Sequence, residues 1–267
     1  MAQDTTERLL NRLHALVGPD GLLLDATAQA PDLGDRPGGP VGRTRVVVLP
    51  ANTTETAAVV RLCSEARTPL VIRGGNNATD GGGGAQVVLG TRRLNRVRAV
   101  DPVNNTLALD AGVLMAHAQA VARDVDRFLP LGPGVQGSRT VGGTVAANAG
   151  GESALRHGNI RELVVGLEVV LPDGRIWNGM RCLRGTDTGY DLRGLFIGSE
   201  GTLGVVTGVV LRMRAPWALH ASASPVPSGA PVVHDSRLCR SPVELDLMLR
   251  IKQAIDPNQI MNPGRVP

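Results

Sequence analysis

The sequence predicts an α/β fold with α+β character, built as a two-part domain with a helical C-terminal segment. Three observations carry this. The runs Arg45–Leu49 and Val87–Leu89 are short and unbroken in apolar residues, as strands buried on both faces are. A strand–helix–strand pattern spans residues 45–73. Three glycine-rich segments, 73–84, 134–151 and 198–204, lie at or near strand ends, where ligands sit in open α/β sheets. The 267 residues suffice for one large domain or two modest ones. Aromatics make up only 2%, so the core must be Val, Leu, Ile and Ala.

The elements follow in order. Residues 5–17 form an amphipathic helix, ended by Gly18-Pro19-Asp20-Gly21. Residues 31–44 are a Pro/Gly-rich loop, and a strand occupies 45–49. Asn52-Thr53-Thr54-Glu55 is a capping-box-like start for a helix over 54–66. Pro69–Arg73 is a strand, and "RGGNNATDGGGG" leaves its C-terminal end without opening a helix. Strands at 87–89 and 104–111, a helix at 114–124 and a strand at 163–171 follow, the last turning at Pro172-Asp173-Gly174. "GSEGTLG" leads into a strand at 205–213. Residues 216–236 have the Pro/Ser/Ala composition of a linker. Ser241-Pro242-Val243-Glu244 then starts a helix that stops at Asp256-Pro257. The domains expected are therefore 1–215, a linker over 216–236, and a C-terminal segment over 237–267.

Charge and cysteine usage narrow the function. The net charge is +4, and Lys252 is the only lysine. The arginines are scattered and not interleaved with aromatics, which excludes a nucleic-acid surface. Cys63, Cys182 and Cys239 are odd in number, widely spaced and without C-x-x-C. They predict neither a disulfide framework nor a zinc site, and a reducing, cytoplasmic compartment. No stretch has the length of a membrane span, and no signal peptide is expected.

Successive backbone N–H groups in glycine-rich turns can converge on a phosphate. A single such segment is more often a slack loop; three of them favour one extended ligand. The spacing fits neither G-x-x-x-x-G-K-[ST] nor a Rossmann G-x-G-x-x-G opening a helix, and Ser199 lacks the frame of a nucleophile elbow.

Five stretches carry a resemblance. "RGGNNATDGGGG", "GSRTVGGTVAANAGG", "LRHGNIRELVVGLEVVLPDGRIWNG", "LRGTDTGYDLRGLFIGSEGTLGVVT" and "DPNQIMNPGRV" resemble the FAD-binding oxidoreductases of the vanillyl-alcohol oxidase/p-cresol methylhydroxylase (PCMH) type. Within that family they look most like the D-2-hydroxyacid dehydrogenases acting on D-lactate, glycolate or D-2-hydroxyglutarate. The resemblance covers residues 8–214 and 237–267. It implies a PCMH-type FAD-binding domain of two subdomains with FAD between them. Arg73, Gly74, Gly75, Asn76, Asn77, Ala78 and Thr79 would cradle the pyrophosphate. Pro130, Leu131, Gly132, Ser138 and Thr140 would line the flavin and ribityl chain, continued by Gly142, Gly143, Ala146, Asn148, Ala149, Gly150 and Gly151. Gly158, Glu200, Gly201, Gly204, Val205 and Val206 would meet the adenine end, and Asn262 would return near the isoalloxazine.

The departures shape the expected function. Asn77 stands where relatives with covalent flavin carry histidine, which implies non-covalent FAD. Ala78 replaces a usual glycine, and Gly185–Asp191 lacks the family's lysine and asparagine. The family's substrate-binding cap domain, with its histidine-rich metal motif and carboxylate-gripping arginine, would lie where residues 216–236 stand. His234 resembles a remnant of one of its segments. Oxidising a 2-hydroxyacid needs a base, a cation or metal for the carboxylate, and a flavin facing the Cα–H. His14 and His117 read as surface or packing residues on helices, His157 as a structural contact, and His220 and His234 as solvated linker residues. Tyr190 reads as a buried hydrogen-bond donor or a core aromatic. No catalytic residue and no metal site is assigned. The reading is an FAD-dependent dehydrogenase of a small 2-hydroxyacid, completed by a homodimer or partner subunit covering the exposed flavin face. The alternative is a non-catalytic FAD-binding subunit or truncated remnant.

Overall fold

In a computed structural model, the structure describes residues 2–25, 28–29, 46–75, 87–131, 139–149, 159–180, 189–215 and 241–265. Two sheets organise the chain. The first contains β1 (Leu22–Leu23), β2 (Val46–Val48), β3 (Leu70–Arg73) and β4 (Val87–Gly90), in the order β1-β2-β4-β3. β2, β4 and β3 run parallel, and β1 is antiparallel to β2. The second contains β5 (Val97–Asp101), β6 (Thr106–Asp110), β7 (Val164–Val170), β8 (Ile176–Gly179) and β9 (Val205–Arg212). Its order is β5-β6-β9-β7-β8, antiparallel throughout. One parallel and one antiparallel sheet account for the mixed α/β and α+β reading.

The parallel sheet is buried on both faces, as its unbroken apolar runs require. Val46, Val48, Val87 and Leu89 face α1 (Ala2–Val17) and α2 (Thr53–Glu65), packing with Leu13, Val59, Val60 and Cys63. Val47, Leu49, Val71 and Val88 form a separate cluster on the opposite face. The alternation within Val46-Val47-Val48 follows from the period of two along a strand. Asn52 caps α2, its side chain accepting from the Glu55 N–H at 2.8 Å while Glu55 accepts from the Ala51 N–H. The larger core lies on one face of the antiparallel sheet. It joins Leu107, Leu109, Leu167, Val169, Val209 and Leu211 to α3 (Met115–Asp124), α4 (Val141–Ala146) and α5 (Ile160–Leu163). Two further helices are α6 (Arg193–Phe196) and α7 (Pro242–Ile255).

α2 also touches β7 and β9 and so links the two sheets. A buried polar network fastens that seam. Arg98 donates from Nε to Asp110 Oδ1 at 2.6 Å and from Nη2 to Glu168 Oε1 at 2.8 Å. Thr53, at the start of α2, and Thr207, on β9, donate to the same Glu168 oxygen at 2.6 and 2.9 Å. Gly208 makes room for this, since a Cβ there would meet the Arg98 guanidinium at 2.8 Å. Burial alone would raise the Glu168 pKa, but the hydrogen bonds from Arg98, Thr53 and Thr207 outweigh it and hold it below its ordinary value.

Several elements depart from the sequence reading. α1 begins at Ala2, not near residue 5. β1, β5 and β8 were not anticipated: β1 has two residues, and β5 and β8 are paired edge segments without a fully buried residue. The strand expected at 104–111 is Thr106–Asp110. The second glycine-rich segment contains the helix α4. Its two glycines are poor helix formers, but Thr140 caps it and Gly142 lies against Ala111. Tyr190 is 96% exposed, so it is neither buried nor a core aromatic. The aromatic contact that does form is Trp177 stacked on Phe196, with centroids 5.6 Å apart.

Candidate cofactor site

The three glycine-rich segments meet at the junction of the two sheets. The first contributes Gly74 and Gly75, which follow β3. Thr91 fixes that strand end, donating its N–H to the Arg73 carbonyl at 3.0 Å. Gly75 has φ +77°, the left-handed region that glycine reaches without a steric penalty. The second contributes Thr140–Ala149. Val141 and Gly142 donate to the carbonyls of Val113 and Ala111 at 2.8 and 2.7 Å, seating the start of α4 over the end of β6. Thr140 Oγ1 accepts from the Gly143 N–H at 3.1 Å.

Gly74 and Gly143 touch backbone to backbone. A Cβ on Gly143 would fall on the Gly74 carbonyl oxygen, and a Cβ on Gly74 would meet the Gly143 nitrogen at 3.0 Å. Neither position accepts a side chain without moving the other loop.

The third segment is a tight turn. Gly198, Glu200 and Gly201 all have positive φ, at 83°, 51° and 72°. The N–H groups of Gly198 and Glu200 donate to the carbonyls of Val145 and Ala146 on α4 at 3.1 and 2.9 Å. Arg161 holds the approach to the turn, donating to the carbonyls of Gly194 and Ile197 at 3.1 and 2.6 Å.

Asn262 closes the ring. Its Oδ1 accepts from the Ile72 N–H on β3 at 2.7 Å, and its Nδ2 donates to the Glu200 carbonyl. Its own N–H bonds the Leu70 carbonyl at 2.9 Å, and Met261 bridges to Leu70 in parallel, so the C-terminal segment lies along the outer edge of β3. The contacts form a closed circuit: β3 to Gly143 on α4, Ala146 to Glu200, Glu200 to Asn262, and Asn262 back to β3.

This places the sequence-predicted residues as follows. Arg73, Gly74, Gly75, Thr140, Gly142, Gly143, Ala146, Asn148, Ala149, Glu200, Gly201 and Asn262 lie on the circuit or within its three segments. Gly204 is a packing glycine, where a Cβ would meet Val169 Cγ1 at 2.8 Å. Val205 and Val206 are buried core residues of β9. Pro130 and Leu131 are buried, and the Leu131 carbonyl accepts from Gln119. Asn76, Asn77, Ala78, Thr79, Gly132, Ser138, Gly150, Gly151 and Gly158 lie outside the described residues, as do most of the segment 185–191 and residues 216–236.

Asn262, expected near the isoalloxazine, and Glu200, expected near the adenine, are neighbours here, the Asn262 Nδ2 donating to the Glu200 carbonyl. Asn262 is 3% exposed, with both side-chain heteroatoms bound to backbone. It acts as a staple between segments. Arg161 and Lys252, which bind carbonyls in and beside the third segment, were missed. Being the lone lysine was a usable signal for Lys252, but scattered arginines gave none for Arg161.

Two features of the site suit FAD. Gly74 and Gly143 pack backbone to backbone with no side chain between them, which brings the exit of β3 and the start of α4 close enough to converge on one extended anionic group. Asn148, with φ +47°, carries a buried Oδ1 with no hydrogen-bond partner among the described residues. A buried acceptor left unpaired is costly, and FAD offers hydroxyl and N–H donors. The residues fit the cofactor.

Comparison with known proteins agrees. A family model described as "FAD binding domain" matches residues 44–179, and one described as "FAD linked oxidases, C-terminal domain" matches residues 236–266. The chain is 41% identical over 184 residues to a D-2-hydroxyglutarate–pyruvate transhydrogenase of Saccharomyces cerevisiae, covering 67% of this chain and 37% of that protein. It is 38% identical over 204 residues to the mitochondrial D-2-hydroxyglutarate dehydrogenase of Bos taurus, covering 75% and 38% respectively. The chain thus spans well under half the length of these relatives. Among solved structures, alkyldihydroxyacetonephosphate synthase superposes with TM-score 0.68 at 24% identity, covering 78% of this chain and 44% of that one. p-Cresol methylhydroxylase superposes with TM-score 0.61 at 20% identity, covering 80% and 44%. The shared fold is the PCMH-type FAD-binding fold. Two sheets joined through glycine-rich segments, and a family match over half the sequence, lead to one conclusion: the chain belongs to the FAD binding domain family.

Proposed function

We propose that this chain is the flavin-holding half of a D-2-hydroxyacid dehydrogenase. The closed circuit of three glycine-rich segments carries the reading, because it brings three glycine-rich turns to one place, as the binding of one extended anionic cofactor requires. Similarity to D-2-hydroxyglutarate enzymes supports the substrate class. Bound FAD would supply a two-electron acceptor for the C–H bond beside the hydroxyl. The chain's own residues bind and orient. Gly74, Gly75 and Gly143 give the cofactor close backbone contact. Thr140 holds the start of α4, and Asn148 offers an acceptor. Glu200 and Gly201 form the third wall, positioned by Asn262. Asn77, where a linking histidine would stand, supports non-covalent binding. The three widely spaced cysteines support a cytoplasmic setting.

In this reading a homodimer or a partner subunit covers the exposed flavin face. The C-terminal family match, residues 236–266, is shorter than the roughly 50 residues of a small domain. α7, which lies within it, exposes Val243, Leu247 and Leu249 at 67%, 52% and 51%, as a piece of a larger packed unit does.

The test is spectroscopic. The purified chain, reconstituted with FAD, should show flavin absorption bands that survive desalting and are released by denaturation. Failure to take up FAD would defeat the reading. Release of flavin on denaturation separates non-covalent from covalent binding. Anaerobic addition of D-2-hydroxyglutarate, D-lactate and glycolate should bleach the bands slowly or not at all with the chain alone. Rapid bleaching by one of them would show that no partner half is needed.

A further inference from the structure

The third glycine-rich turn adopts three left-handed backbone positions within four residues, one of them the non-glycine Glu200. Such a turn persists only where its surroundings over-determine it. Bonds to α4 hold its front. Its back is held by the C-terminal segment, through Asn262 at the Glu200 carbonyl, Arg265 at the Glu200 carboxylate at 3.6 Å, and Lys252. Lys252, on the last turn of α7, is 15% exposed at its side chain. Its ammonium donates to the Thr202 carbonyl at 2.7 Å, to the Met261 carbonyl at 3.1 Å and to Asp256 Oδ2. All three protons of the ammonium have an acceptor. Asp256, fully buried, also accepts from the N–H groups of Ile260 and Met261 at 3.2 and 2.9 Å. That fixes the strand-like stretch from which Asn262 reaches back to Glu200. Lys252 and Asn262 thus grip the same turn one after the other, Thr202 from one side and Glu200 from the other.

We infer that Lys252 is a positioning residue for the cofactor site: through Thr202 and Met261 it locks the C-terminal segment onto the third glycine-rich turn and keeps that turn in its cofactor-binding shape. This rests on the FAD reading above. It also explains what the C-terminal segment does in a chain whose match to that domain is confined to residues 236–266. The segment is a clamp on the flavin half, separate from any substrate-gripping role.

Substituting Lys252 alone would leave the Asp256 carboxylate buried and unpaired, and such a chain can fail to fold. The test therefore uses Lys252→Met paired with Asp256→Asn, which removes both charges, beside Lys252→Arg and Leu247→Ser, an exposed position on the same helix. Two quantities are measured on each folded full chain. One is the FAD dissociation constant by flavin fluorescence. The other is the rate at which a Glu-specific protease cuts after Glu200 in the apo chain, followed by mass spectrometry. Losing a charged hydrogen bond to the turn should weaken FAD binding about tenfold. Cleavage after Glu200 should rise by a similar factor, with Lys252→Arg restoring much of both and Leu247→Ser matching the unsubstituted chain. A paired variant that folds normally, binds FAD unchanged and resists cleavage as before would overturn the inference. Equal loss in Leu247→Ser would overturn it too, because the effect would then be general loosening. If the unsubstituted chain binds no FAD, the cofactor reading fails, and the cleavage rates alone decide whether the clamp exists.

Discussion

Gly143→Ala isolates the contact on which the cofactor site turns. Gly143 is not in the left-handed region, so the added methyl brings no backbone strain. The whole effect is steric: the new Cβ would lie on the Gly74 carbonyl oxygen, well inside the 3.0 Å that real Cβ atoms respect. The obstacle is backbone on both sides, so no side chain can swing away. Overpacking of this kind costs about 1–3 kcal/mol. Relief comes only by parting β3's exit from α4, which opens the cradle. If FAD binding requires the closed form, affinity should fall roughly fivefold to a hundredfold. Thermal unfolding of the apo chain should drop by about 2–10 °C, at a few degrees per kcal/mol for a domain of this size. Gly18→Ala is the matched contrast. It sits at φ +71° and ψ 179°, a glycine-only region, with nothing within 4 Å of the added Cβ, so it should lower stability by about 1–3 kcal/mol and leave FAD affinity alone. Titration of FAD into both variants, with melting curves, checks the pair. A Gly143→Ala chain that binds FAD as tightly as the original would refute the claim that these two backbones form the cradle.

Asn148→Ala should weaken FAD binding severalfold while lowering apo stability by only about 1 kcal/mol, the cost of alanine at φ +47°, because the lost Oδ1 has no described protein partner; an unaltered dissociation constant would remove Asn148 from the site. Glu168→Gln keeps the shape of the seam network but removes the charge facing Arg98, and should cost about 1–3 kcal/mol in urea denaturation. The pH dependence has a definite sign. The folded pKa of Glu168 lies below its ordinary 4.5, so its contribution is present above that value and lost as pH falls through the folded pKa. Melting temperatures between pH 3 and 7 should therefore fall more steeply for the original chain than for Glu168→Gln. The Cys63 thiol, buried and pushed up to about 12, should react with a thiol reagent at pH 8 only as the chain unfolds; rapid modification of Cys63 in the native chain would contradict its burial.

Much of the fold was legible because its strongest signals are local. The apolar runs at Val46–Val48 and Val87–Leu89, and the caps at Asn52 and Ser241, each report their own element. What could not be read depends on distant partners. β5 and β8 hold their places by pairing with β6 and β7, not by any buried pattern of their own. α4 exists despite two glycines because Ala111 sits beneath Gly142. The glycine-rich segments could be recognised singly, but their closure into one circuit could not. It runs through Asn262, a polar residue whose side-chain partners are a backbone N–H and a backbone carbonyl, and backbone partners leave no trace in composition or periodicity. Tyr190 shows the reverse error: a lone tyrosine in a chain poor in aromatics suggests a core role, whereas the structure leaves it in solvent.

The bond between Ile72 and Asn262 joins residues 190 positions apart. That separation orders events during biosynthesis. The outer edge of β3 stays open while the 190 residues up to Asn262 are made, a bare strand edge available to any wandering chain. Contacts of such span form late, after their loop-closure entropy has been met. A nascent chain can assemble both sheets and still lack a sealed cofactor ring until Asn262 has left the ribosome. Flavin loading is then expected to be a late step of maturation, with pulse-labelled hydrogen exchange showing the Ile72 amide among the last to gain protection.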